Sequence, residues 1–108
     1  MQKLFIIIRN DLDQGLQAAQ ACHATKLFGM EHPKEDIDWY RNSNNIVLLQ
    51  VPDKYSLIEL AYEAICQGCA CSVFREPDVG DEPTAIAICG RRAKKVTSHL
   101  PLALRQAA

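Results

Sequence analysis

Apolar runs and helical stripes alternate along this chain. Phe5-Ile6-Ile7-Ile8 is unbroken within Lys3–Arg9, the pattern of a strand covered on both faces. Ile46–Val51 repeats it with five apolar residues of six, and Ala70–Phe74 and Thr84–Cys89 read as a third and a fourth strand. A polar segment from Asn10 to Gly15 opens a helix predicted from near Asp13 to about Gly29, with Asp11 or Asp13 as its N-cap. His32-Pro33 breaks it, and the charged stretch Lys34–Arg41 suggests a short helix. Asp53 caps a second long helix after Pro52, with Leu57, Leu60, Ala61, Ala64 and Ile65 as its buried stripe and Gly68 at its C-terminal end. Arg75–Pro83 reads as a polar loop that makes a hairpin-like link to the fourth strand, and Arg91–His99 as a short final helix with Pro101 beyond. The order predicts an α/β fold: one domain over residues 1–108, with a small mixed four-stranded sheet and helices on both faces.

The first helix is rich in small residues, Ala18-Ala19-Gln20-Ala21-Cys22-His23-Ala24, which lets it approach a sheet closely. Leu16, Gln20, His23 and Leu27 follow steps of four, three and four and are expected to share one stripe. Two polar side chains on it then need hydrogen-bond partners, water or a ligand.

Composition narrows the function classes. A formal net charge of −1 argues against bulk nucleic-acid binding and leaves room for a local basic patch. The five apolar residues after Lys3 are too short for a signal peptide and no run spans a bilayer, so a cytoplasmic, membrane-free protein is expected. Five cysteines, an odd number, fit a reducing compartment. Cys66-x-x-Cys69 lacks the second pair of a zinc ribbon, so the thiols read as small buried hydrophobes. Arg105–Ala108 is expected to lack order.

Three polar segments lie where α/β folds place their sites: Arg9–Gly15 running into Gln20 and His23, Asn42–Asn45, and Arg75-Glu76-Pro77-Asp78. The first carries a resemblance. Arg9-Asn10-Asp11-Leu12, followed by Ala18-Ala19-Gln20-x-x-His23-Ala24, is similar to the opening motif R-x-D-L-K-M-G-K-G-K-x-A-A-Q-x-x-H-A of the type II (archaeal/eukaryotic-type) peptidyl-tRNA hydrolase family. Pro83–Ile88 resembles that family's T-x-x-A-I strand, Val96-Thr97-Ser98-His99-Leu100 its closing V-T-x-x-L, and Phe74–Asp78 a bacterial variant of its R-D loop. The motifs follow in order over nearly the whole chain, which resembles a divergent bacterial-type member.

The resemblance implies a small α/β domain, often dimeric, that cleaves the ester between a peptide and the 3′ ribose of tRNA without a metal cofactor. Such an enzyme needs an activated water, an oxyanion stabiliser and a grip on phosphates. It implies that Gln20 positions, that His23, Glu76 or Asp78 activates water, and that Thr84 supports the loop. Arg9, Asp11 and Arg75 are expected to bind substrate. Arg91, Arg92, Lys94 and Lys95, the dense basic cluster, are expected to meet phosphates. The family's lysine before x-A-A-Q is Leu16 here, and its loop aspartate corresponds to Glu76 or Asp78.

Each residue also has a plainer role. His23 is equally a buried histidine packing helix on sheet, Gln20 a partner for a backbone group, and Asp11 a helix cap. Glu76 and Asp78 fit a solvated turn, Thr84 an ordinary strand position, and the basic cluster a solvated helix face. The alternative function is a non-catalytic module that binds tRNA ends or a protein and lost the lysine with its activity.

Overall fold

The computed structural model describes residues 2–105; residues 106–108 of the expected C-terminal tail lie outside them. The elements are β1 (Leu4–Arg9), α1 (Gln14–Glu31), α2 (Pro33–Asn42), β2 (Ile46–Val51), α3 (Lys54–Cys66), β3 (Ala70–Glu76), a 3-10 turn (Pro77–Val79), β4 (Glu82–Cys89) and α4 (Ala93–Thr97). The strands form one mixed sheet in the order β2-β1-β4-β3. β1 pairs with β2 in parallel and with β4 antiparallel, and β3 pairs antiparallel with β4.

Strand periodicity divides the core into two layers. Leu4, Ile6 and Ile8 of β1 pack with Ala85, Ala87 and Cys89 of β4 beneath Ala24 and Phe28 of α1. Phe5 and Ile7 face the other way, with Ile86 and Ile88, against Leu57, Leu60, Ala61 and Ala64 of α3 and Ala93 and Val96 of α4. Alanines on both α1 and β4 let the helix sit close to the sheet. The buried stripe of α1 is Gln17, Gln20, Ala24 and Phe28. This corrects the expected stripe: Gln20 lies on it, whereas His23 is exposed, and Leu16 and Leu27 are only half-buried. Ile65 of α3 likewise faces outward, 58% exposed.

Asp53 caps α3 as expected, accepting from the Ser56 N–H at 2.8 Å. At α1 the cap is Asp13, which accepts from the Leu16 N–H at 2.9 Å. Gly68, with φ +81°, turns the chain out of α3. Cys22 and Cys66 are exposed and only Cys69 and Cys89 are buried, so the reading of all five as core residues fails. The β2 edge is covered by the C-terminal segment, where the Ala103 N–H donates to Leu48 O and the Gln50 N–H to Pro101 O.

The hairpin-like link expected before the fourth strand is present, and the loop read over Arg75–Pro83 is shorter than expected. β3 runs on to Glu76 and β4 begins at Glu82, leaving residues 77–81 as the turn. Gly80 and Asp81 take left-handed conformations there. Pairing passes from Phe74↔Ala85 to Arg75↔Pro83, so β4 carries one extra residue, Thr84. A bulge accommodates Pro83, which lacks a ladder donor, inside a central strand.

Ala24 is fully buried between α1 and the sheet. Ala24→Leu is expected to overpack that contact and lower stability by about 1–3 kcal/mol, measured as a reduced urea midpoint.

Candidate active site

The bulge aims a side chain. Strand alternation alone would send Thr84 toward α3, with Ile86 and Ile88. The extra residue turns it to the α1 face instead, where its hydroxyl donates to Gln20 Oε1 at 2.6 Å. Gln20 is fully buried, and its Nε2 donates to Glu76 Oε1 at 3.0 Å. The Glu76 carboxylate can only accept, so it fixes the NH2 end of the amide toward itself, and the Thr84 hydroxyl, which can donate or accept, donates to the oxygen left facing it. The Glu76 carboxylate is half-buried, held at one oxygen and open at its remaining lone pairs. Thr84, Gln20 and Glu76, drawn from three elements, thus form one chain of hydrogen bonds ending at the surface.

His23 lies one turn along α1. Its ring stacks on Phe74 with centroids 4.7 Å apart and 17° between planes. It is an exposed stacked histidine, which corrects the reading of it as a buried packing residue. Asp78 sits exposed in the 3-10 turn, and Arg75 is exposed between Phe74 and Glu76.

Arg9 and Asp11 are not free substrate ligands. Arg9 is 7% exposed. Its Nε and Nη2 donate to the two Asp11 oxygens, each at 2.8 Å, and its Nη1 to Glu82 Oε1 at 2.7 Å and Pro83 O at 3.3 Å. Lys54 Nζ completes the network on Glu82 Oε2 at 3.0 Å. Four of the five guanidinium donors are thereby used. Asp11 is a partner for Arg9 and not a helix cap. The Arg9 hydrogen bonds hold the Asp11 and Glu82 carboxyls below their ordinary range, Lys54 adding to the effect on Glu82, while these carboxylates raise the Arg9 pKa. The network pins the end of β1 to the start of β4, directly under the bulge.

Sequence reasoning missed Glu82, Lys54 and Gln17. The first two meet Arg9 across long sequence separations that carry no local pattern. Gln17 is buried and its Nε2 donates to Leu12 O and Asn10 O, holding the loop after β1. A polar residue three positions from Gln20 was the available signal, hidden by the choice of stripe.

The basic cluster does not join this group. Arg91, Arg92, Lys94 and Lys95 follow Cys89, at the end of β4 remote from Thr84. Among the described residues no group of three or more His, Cys, Asp or Glu is placed to hold a metal. Burial pushes the Cys71 thiol up to about 12 and the Cys89 thiol to about 11, so both stay protonated at neutral pH and are poor nucleophiles.

A surface carboxylate positioned by a buried amide, beside a stacked aromatic pair, is what this end of the small α/β domain presents. Residues 2–103 match the family described as Peptidyl-tRNA hydrolase PTH2. A peptidyl-tRNA hydrolase of Methanocaldococcus jannaschii is 31% identical over 93% of this chain and 98% of its own length. Another, of Methanococcus vannielii, is 30% identical over 94% and 99%. A structure of a protein of unknown function from Agrobacterium tumefaciens strain C58 superposes with a TM-score of 0.67 at 14% identity, covering 94% of this chain and 96% of the other, which establishes the shared fold. The chain belongs to the PTH2 peptidyl-tRNA hydrolase family.

The depressed carboxyls make stability pH-dependent. Their ordinary values are 3.8 for Asp11 and 4.5 for Glu82. Both are lower when folded, so the unfolded chain binds protons first as pH falls. Their contribution is present above those values and is lost as pH drops through the lower folded ones. Urea midpoints measured from pH 7 to pH 3 are expected to fall in acid. Asp11→Asn/Glu82→Gln should lower stability at pH 7 and flatten that decline.

Proposed function

We propose that this chain hydrolyses the ester joining a peptide, or an N-acylated amino acid, to the 3′ ribose of tRNA, releasing free tRNA. The observation that carries the reading is the Thr84–Gln20–Glu76 chain, which holds a carboxylate at fixed geometry beside open solvent. Glu76 accepts a proton from water as the water oxygen attacks the ester carbonyl. The C–O bond to the ribose then breaks and the ribose oxygen takes up a proton. Gln20 and Thr84 act through Glu76 as positioning residues. The His23–Phe74 stack forms an apolar wall for the ester's surroundings. Among the described residues Arg75 and Arg105 are cations at this end with no ion pair, and Arg75, next to Glu76 on β3, is the one suited to the terminal phosphates of the RNA. Asp78, exposed and outside the hydrogen-bond chain, is the weaker candidate for the base. A substrate made in translation supports a cytoplasmic location.

A second copy of the chain is the partner that α3 suits. Tyr55, Ile58, Tyr62 and Ile65 are 70%, 45%, 72% and 58% exposed, at the three-four-three spacing of a helix-pairing seam. Paired antiparallel about residue 60, the stripe sets Tyr55 against Ile65 and Ile58 against Tyr62, which is self-complementary as a two-fold interface requires. Sedimentation is expected to show a dimer that Tyr62→Glu converts to monomer.

The experiment that tests the activity is release of labelled N-acetyl-amino acid from tRNA. Glu76→Gln is expected to lower the rate by about 100-fold or more, while Asp78→Asn changes it little and His23→Ala keeps the larger part. Thr84→Val strips the partner from a buried amide oxygen and should cost about 1–3 kcal/mol of stability, with a lower kcat. Full activity of Glu76→Gln would remove it as the base.

A further inference from the structure

The catalytic end repels the substrate it is proposed to cleave. Asp11, Asp13, Asp53, Glu76, Asp78, Asp81 and Glu82 cluster at the end where β1, β2 and β3 finish and β4 begins. Against these seven carboxylates stand four cations, Arg9, Lys54, Arg75 and Arg105, and the first two are already paired. A polyphosphate backbone gains little there. The attraction has to come from elsewhere on the molecule.

The opposite end of the sheet supplies it. Lys3 enters β1 there, and Arg91, Arg92, Lys94 and Lys95 leave β4; all five are exposed, and none has an ion pair among the described residues. A groove of about 290 Å³ is lined by Gln2, Lys3, Phe5, Gly90, Arg91 and Lys94, with no carboxylate in its wall. The adjoining groove, which takes in Arg92, has one acid, Glu35. The turn that presents the arginines is fixed. Gly90 has φ +153°, and a Cβ there would lie 3.2 Å from the Cys69 Cα, so the chain must pass close at that point. From Thr84 to Gly90 along β4 is about 20 Å at the usual strand rise, a span of about six nucleotides at about 3.4 Å each.

We propose that this basic end is a second RNA contact that grips the phosphodiester backbone of the tRNA body about 20 Å from the ester being cut. The proposal rests on the peptidyl-tRNA reading of the active site. It makes recognition bipartite: an ester site with little attraction for phosphate at one end and a backbone clamp at the other. The groove presents amide and cationic groups over a buried Phe5 floor and no exposed apolar side chain, which favours RNA over a lipid surface.

The test is Arg91→Glu/Lys94→Glu, two exposed positions outside the catalytic group, compared with the wild type in three arms. Binding of deacylated full-length tRNA, followed by anisotropy across a salt series, needs no hydrolysis. It is expected to weaken at least about tenfold, with the slope of log K against log salt falling by about 1.5 for two lost phosphate contacts. Hydrolysis of N-acetyl-aminoacyl-tRNA is expected to show a raised KM and an unchanged kcat. Hydrolysis of the same acyl group on a CCA trinucleotide is expected to be unaffected. Unchanged tRNA binding, or an equal loss on the trinucleotide, overturns the proposal. So does loss of binding to anionic phospholipid vesicles with tRNA binding intact, which assigns the patch to membranes. If wild-type protein cleaves neither ester, the esterase reading falls, and the deacylated-tRNA arm still decides the patch.

Discussion

A carboxamide with no access to water must be paired at both ends, or burying it costs more than the fold can spare. Gln20 is that group here, and meeting its needs accounts for much of the surrounding structure. Its oxygen requires a donor on the α1 face of the sheet, and the bulge in β4 supplies one by turning Thr84 to that face. Its NH2 requires an acceptor, so β3 continues to Glu76 and does not stop at Phe74. The helix can bring Gln20 so close because Ala24, Ala85 and Ala87 occupy the contact. Small residues on α1, the bulge and the extended hairpin are therefore one solution to one constraint, and a carboxylate of fixed position at the surface is its product.

The Arg9 network is the companion device. A guanidinium that is almost wholly buried is tolerated because Asp11, Glu82 and Pro83 O receive its protons. Lys54 balances the second carboxylate, leaving two positive and two negative groups. Removing either acid strands a buried charge, which is more damaging than deleting the whole set. Its placement at the junction of β1 and β4 keeps the bulge, and with it Thr84, from slipping in register.

Most of the fold was legible because its signals are local. β2 and the capping of α3 by Asp53 follow from runs and caps within a few residues. The resemblance in motif order pointed to the family, and to Gln20, Glu76 and Thr84 as members of one site. What escaped had non-local causes. The true face of α1 is set by which polar side chain the sheet can satisfy, and periodicity could not distinguish Gln17 from Leu16. The hairpin-like link between β3 and β4 was expected, but the length of its strands was hidden by two prolines and four acids that resemble a loop, because nothing in the sequence announces that a bulge absorbs Pro83. Glu82 and Lys54 acquire their roles only when β1, β4 and α3 converge. The basic cluster reads as near the site in a motif list, and the strand direction of β4 carries it to the other end.

That separation alters what the near-neutral formal charge means. The value of −1 is an average over an acidic pole at the hairpin and a cationic pole at the β4–α4 turn. A body polarised in this way behaves as a dipole in the field of a polyanion and feels a torque before it feels contact. On the proposed reading its cationic pole swings inward first, and the hairpin that carries Glu76 then lies toward the periphery of the RNA, where a 3′ terminus is found and phosphates are sparse. Orientation during encounter is thus written into the strand order, independently of any residue that touches the ester.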